Sequence, residues 1–155
     1  MFVRDVMNSK PVTCQTEDMV SEAARKMKRE KISGMPVLDG DQLVGVISES
    51  DILRLLSGKE EGQLWLPSPL EIFEVPFRDL LKWEKLHSSV EDISKKKVSE
   101  VMHRDVRTVG PEDSVEEAAS IMTRHRINRL PVVENGKLVG IVTRGDIITG
   151  LGKAK

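Results

Sequence analysis

Val20, Ala23, Ala24 and Met27 fall at i, i+3, i+4 and i+7, and the same spacing returns at Val115, Ala118, Ala119 and Met122. That period lays one apolar stripe along a helix, so each set predicts an amphipathic helix packed on one side. Short extended segments precede the two helices, Pro11-Val12-Thr13-Cys14 and Val106-Arg107-Thr108-Val109. Asp113 with Glu116 three residues on predicts the start of the second helix, as N-cap and N3. After each helix come two apolar runs around a turn: Met35–Leu38 and Leu43–Ile47 about Asp39-Gly40-Asp41, then Leu130–Val133 and Leu138–Val142 about Glu134-Asn135-Gly136. Asn-Gly between apolar runs is a strong hairpin signal. A further helix is expected to begin near Asp51 and near Asp146.

The pattern is written twice. A shift of 95 positions carries Val6-Met7 onto Val101-Met102, Met35-Pro36-Val37 onto Leu130-Pro131-Val132, Leu43-Val44-Gly45 onto Leu138-Val139-Gly140, and Asp51-Ile52 onto Asp146-Ile147. Each copy reads β-α-β-β-α, and a unit of roughly 50 residues is too small to bury its sheet and both helices alone. The expected fold is α/β (α+β), with two repeats packed by pseudo-twofold symmetry into one module. Residues 1–57 form the first repeat, 58–97 an insert and 98–155 the second. In the insert, Trp65-Leu66-Pro67-Ser68-Pro69 is expected to be extended or turned. Pro76 opens an expected helix with Phe77, Leu80, Leu81 and Trp83 on its apolar side. That helix serves as a linker covering the module's flank, or as a docking or dimerisation surface, because aromatic residues anchor interfaces.

Composition narrows the chemistry. A net charge of −1 argues against a general binder of phosphate backbones, although Arg124-His125-Arg126 and Arg129 cluster in the second copy. The one cysteine, Cys14, permits no intramolecular disulfide. No run approaches the ~20 apolar residues of a membrane span, and a soluble, cytoplasmic protein is expected. His87, His103 and His125 lack ligand-like spacing with cysteines or acids, so no metal is expected. There is no P-loop, no Gly-x-Gly-x-x-Gly and no visible catalytic constellation. Cys14 reads as a small core residue, and no enzymatic activity is expected.

Tandem β-α-β-β-α units, with Val-Met near each start, Met/Leu-Pro-Val on a strand, and Gly45-Val46-Ile47-Ser48-x-x-Asp51 or Gly140-Ile141-Val142-Thr143-x-x-Asp146 at the end, resemble a pair of cystathionine β-synthase (CBS) domains, a Bateman module. The resemblance covers the whole chain except the insert. It implies a stand-alone regulatory module without catalysis. Such a module would bind AMP, ADP, ATP or S-adenosylmethionine between the repeats, as in energy sensing, and signal by conformational change to a regulated partner. It also implies a disc-like homodimer. The alternatives are a structural or dimerisation module acting through the aromatic insert, and nucleic-acid binding through the Arg124–Arg129 cluster.

The same resemblance makes Asp146 the acceptor of both ribose hydroxyls, which suits a carboxylate because it only accepts hydrogen bonds. Thr143 would donate to a phosphate or ribose oxygen, and Arg126, Arg129 and Arg144 would pair with phosphate. Thr108, Val109, Ile127, Leu130 and Pro131 would wall the base. A second cleft would use Thr13, Cys14, Lys31, Ile32, Met35, Pro36, Ser48 and Asp51. Thr143-x-x-Asp146 and Ser48-x-x-Asp51 are equally helix-capping arrangements, and capping need not exclude a ligand. Glu49 stands where Arg144 stands, Lys31 where Arg126 stands, and Gly34 where Arg129 stands. The two clefts are therefore expected to differ, with the second-copy cleft favouring phosphate.

Overall fold

The computed structural model describes residues 1–57 and 90–154. Expectations for Trp65–Pro69 and for the helix opened by Pro76 lie outside the described residues. The first repeat runs through α1 (Val3–Val6), β1 (Cys14–Gln15), α2 (Val20–Glu30), β2 (Gly34–Asp39), β3 (Gln42–Ser48) and α3 (Glu49–Ser57). The second begins with a 3-10 turn at Val98–Glu100 and continues through α4 (Val115–His125), β4 (Arg129–Glu134), β5 (Lys137–Thr143) and α5 (Arg144–Lys153).

Both hairpins extend beyond the apolar runs that announced them, because the flanking polar residues still pair: Gly34 with Ser48, and Arg129 with Thr143. The second turn holds Asn135 at φ 50° and Gly136 at φ 78°, the two positive values a type I′ hairpin turn requires. The closing helices begin at Glu49 and Arg144, two residues before the aspartates expected to start them, because Ser48 and Thr143 are their caps. The expected cap of α4 needs correction. Ser114, not Asp113, accepts from the Glu117 amide, while the Asp113 carboxylate closes the preceding turn on the Gly110 amide at 2.7 Å.

Each repeat is completed by the other's leading segment. Val3 lies in the second core with Val115, Ala118, Met122, Leu130 and Val142. Its counterpart Val98 lies in the first core with Ala23, Met27, Met35 and Ile47. The Asn8 backbone pairs with Ile141 on β5, and the His103 backbone pairs with Val46 on β3, each through two N–H···O bonds. These crossings explain the repeated Val-Met and Leu-Val-Gly. A Cβ on Gly45 would stand 2.6 Å from the Met102 sulfur and 2.8 Å from the His103 carbonyl. On Gly140 it would stand 2.8 Å from the Met7 sulfur and 2.9 Å from the Asn8 carbonyl.

The prolines of the repeated strand are accommodated at the opposite edge. Val46 and Ile141, which face Pro36 and Pro131, have carbonyls that accept from the His103 and Asn8 amides of the crossing segments, so neither needs a proline N–H. The Pro131 carbonyl accepts from Val109 on the far side. The strands β3 and β5 touch, which brings the two sheets together about the pseudo-twofold axis. No described helix is long and apolar enough to cross a membrane.

Candidate functional site

Two cavities flank the axis, and each draws on both repeats. One, of about 410 Å³, is lined by Asn8, Val12, Lys31, Ile32, Ser33 and Gly34 from the first repeat, and by Asn128, Arg129, Ile141, Thr143, Arg144, Gly145 and Asp146 from the second. The other, of about 550 Å³, joins Ser33, Val46, Ser48, Glu49, Ser50 and Arg54 to His103, Asp105, Val106, Arg107, Arg126, Ile127, Asn128, Arg129 and Pro131. Both lie in the size range of small-molecule sites.

The grouping expected from sequence is therefore redrawn. Thr143, Arg144 and Asp146 share a cavity with Lys31 and Ile32, whereas Arg126, Ile127 and Pro131 share one with Ser48. The cause is the axis: the turn after each helix reaches over the closing motif of the other repeat. Leu130, Met35, Val109 and Cys14 are buried in the cores instead. Pro36 is also fully buried, Thr108 is exposed, and Thr13 gives its carbonyl to Lys26. The wall residues are one position earlier in the extended segments, at Val12 and Arg107. Asn8 with His103, and Ser33 with Asn128, were also missed. All three pairs stand at the 95-residue offset, the signal that could have found them.

The two aspartates sit in the same local frame with different company. Asp146 Oδ2 accepts from the Thr143 amide at 2.8 Å and its hydroxyl at 2.7 Å, and the Thr143 oxygen accepts from the Asp146 amide at 3.2 Å. Among the described residues nothing bonds its other oxygen. Asp51 makes the same box with Ser48, at 2.8 and 2.9 Å. Its Oδ1, however, meets His103 Nε2 and, at 3.4 Å, Arg54 Nη1. The Asp51 side chain is 1% exposed, so its carboxylate is met inside the protein by the Arg54 guanidinium and the His103 ring. Asn8 lines the Asp146 cavity at the position of His103, and Thr149 stands in the sequence at the position of Arg54, both neutral.

Lys31 and Arg126 close α2 and α4 in the left-handed region, at φ 54° and 53°. This position favours glycine, yet both side chains are cationic and both rim a cavity. Arg129 lies between the cavities and lines each. Its Nη2 donates to Ser33 Oγ, and its Nη1 is buried with no partner among the described residues. Burial pulls its pKa below the ordinary value, while Glu49 and Asp51 pull it back up. A Cβ on Gly34 would overlap this guanidinium.

The CBS domain family profile matches residues 3–58 and 98–153. The chain belongs to the CBS domain family, as a pair of repeats. It is 41% identical over 154 residues to the uncharacterized protein MJ1426 of Methanocaldococcus jannaschii, covering 97% of this chain and 91% of that one. The structure is similar to the CBS domain of a CBS domain containing membrane protein from Sphaerobacter thermophilus. There the identity is 36%, the TM-score 0.69, and the match covers 96% of this chain and 86% of that one. It is similar too to CBSX2 in complex with AMP, at 28% identity and TM-score 0.72, covering 99% and 98% of the two chains. CBSX2 is a chloroplastic protein in Arabidopsis thaliana.

Proposed function

We propose that this CBS pair is a regulatory receptor for an adenosine-containing ligand, with the Asp146 cavity as its principal site. The observation that carries the reading is the contrast between the two carboxylates. Asp146 is fixed by Thr143 through one oxygen and keeps the other for a ribose hydroxyl, whereas Asp51 already holds His103 and Arg54. Lys31, Arg129 and Arg144 line the same cavity as Asp146 and suit a phosphate. That CBSX2 was crystallised with AMP supports the ligand class.

The ligand acts by preferring one arrangement of the repeats, since only a difference in affinity between two states shifts their populations. A partner protein reads the shift, and no catalytic step is part of the reading. Leu53, Leu55, Ile148 and Leu151 remain exposed on α3 and α5, apolar surface of the kind a homodimer would cover.

Thermal unfolding against AMP, ADP, ATP and S-adenosylmethionine tests this. Ligand at about 100 times its dissociation constant stabilises by roughly 2.7 kcal/mol, a rise of roughly 5–10 °C for a chain of this size. Asp146→Ala should abolish the shift and Asp51→Ala should not abolish it. No shift with any of the four ligands would overturn the reading.

A further inference from the structure

Three residues, Ser33, Asn128 and Arg129, line both cavities, and only Arg129 carries a charge. Its counterpart across the axis is Gly34, where a side chain has no room. The module thus has one central guanidinium where a symmetric pair would have two or none. Nη2 is engaged by Ser33 Oγ, while Nη1 is buried without an acceptor among the described residues. A buried donor left unpaired is costly, so an oxyanion reaching it gains more than hydrogen bonding in water would give.

The other cations compete poorly for this role. Lys31, Arg144 and Arg126 are exposed and screened by solvent. Arg54 is paired with Asp51, and Arg107 lies 3.4 Å from Asp105.

We propose that Arg129 is the anion receptor common to both cavities, the anchor that the exposed cations at their rims assist. A phosphorylated adenosyl ligand in one cavity then excludes a second from the other but leaves room for an uncharged one. A guanidinium fork engages one phosphate bidentately at a time. Drawn toward the Asp146 side, it leaves the other cavity with Glu49 and Asp105 against any second phosphate, while Arg54 and Arg107 there are paired with carboxylates and Arg126 is exposed. The exclusion is reciprocal, because linkage between two binding sites must be.

The inference rests on the adenosyl-ligand reading, and calorimetric titration of the full chain with AMP and with adenosine separates the two. One equivalent of AMP should bind per chain, and AMP-saturated protein should still take up adenosine. Arg129→Gln should weaken AMP by at least about tenfold and leave adenosine unaffected. Arg129→Lys, which keeps the charge and loses the fork, should fall between and serves if the glutamine variant does not fold. Two AMP equivalents of similar affinity, adenosine binding blocked by AMP, or an AMP affinity indifferent to Arg129 would overturn the shared receptor alone. So would adenosine binding without AMP binding. If neither ligand binds, the adenosyl reading falls, and this inference with it.

Discussion

The Arg129 guanidinium occupies the space directly above Gly34, the residue at its own position in the other repeat. Equivalent positions of a pseudo-twofold module meet at the axis, so a long side chain on one requires none on the other. The sequence difference between the repeats is thus a packing requirement as well as a difference in charge.

This relationship predicts coupling between the two positions. Gly34→Ala should destabilise by about 1–3 kcal/mol, as overpacking does, because its Cβ would displace the guanidinium and press the Ile47 carbonyl at 2.8 Å. In an Arg129→Ala background the cost should shrink, leaving an interaction energy of about 0.5–2 kcal/mol in a urea-denaturation double-mutant cycle. Strict additivity would show that the side chains do not compete for this space.

The cavity rims predict stability given up for function. Lys31 and Arg126 hold a backbone conformation with φ near 54° that glycine adopts without strain. Lys31→Gly and Arg126→Gly should each raise stability by about 0.5–1 kcal/mol, or about 1–4 °C in melting temperature. If they rim anion sites, the same variants should weaken phosphorylated ligands. A glycine variant that melts earlier would show that the lysine or arginine side chain makes compensating contacts.

Val20, Ala23, Ala24 and Met27 predicted a helix because burial on one face imposes a period; three of them are buried, while Ala24 lies exposed beside the stripe. The hairpins were legible from Asp39-Gly40-Asp41 and Asn135-Gly136, turn residues set between apolar runs. The exchange of leading segments was not: Val3 is apolar whichever core it enters, and only its contact with Val115 and Leu130 reveals the crossing. The cavities were misgrouped because local sequence says what Thr143 and Asp146 can bond, but not that Lys31 and Ile32 face them across an axis. The spacing of His103 points to no metal site, and nothing local to it in sequence points to Asp51. Its position beside Asp51 depends on the same crossing, since its backbone is carried there by pairing with Val46.

The two aspartates should differ in what they contribute to folding. Asp146→Ala removes a helix-capping arrangement, worth about 1 kcal/mol. Asp51→Ala removes the same arrangement and strands Arg54 and His103. Since these are 31% and 51% exposed, the total is discounted to about 2–3 kcal/mol. Chemical denaturation of both variants checks the order. Equal losses would mean that the contacts from His103 and Arg54 contribute nothing.

Exchange of the leading segments makes a prediction about where a mutation is felt. Val3→Ala removes two methyl groups from a side chain that is 0% exposed, at a cost of about 1–3 kcal/mol. The loss should appear as faster amide hydrogen exchange in α4, β4 and β5, more than 100 residues away in sequence, before it appears in α2. Val98→Ala should do the reverse. Exchange quickened first around residue 3's own repeat would contradict the crossing.

Cys14 makes the pH dependence testable. Burial, reinforced by Asp18 and opposed by Lys26, pushes its thiol up from 9.0 to about 11. The Cys14 residue is 2% exposed and its Sγ lies 3.9 Å from the Pro36 carbonyl oxygen. The folded chain therefore keeps a proton that the unfolded chain releases above about pH 9. Stability from this group is complete below pH 9 and falls as pH rises toward about 11, by roughly 2–3 kcal/mol in all. Cys14→Ala should flatten that alkaline slope, and native Cys14 should react with iodoacetamide at pH 8 about a hundredfold more slowly than in urea. A thiol that reacts equally fast in both conditions would show that the site opens readily, and the alkaline slope would then have to come from other groups.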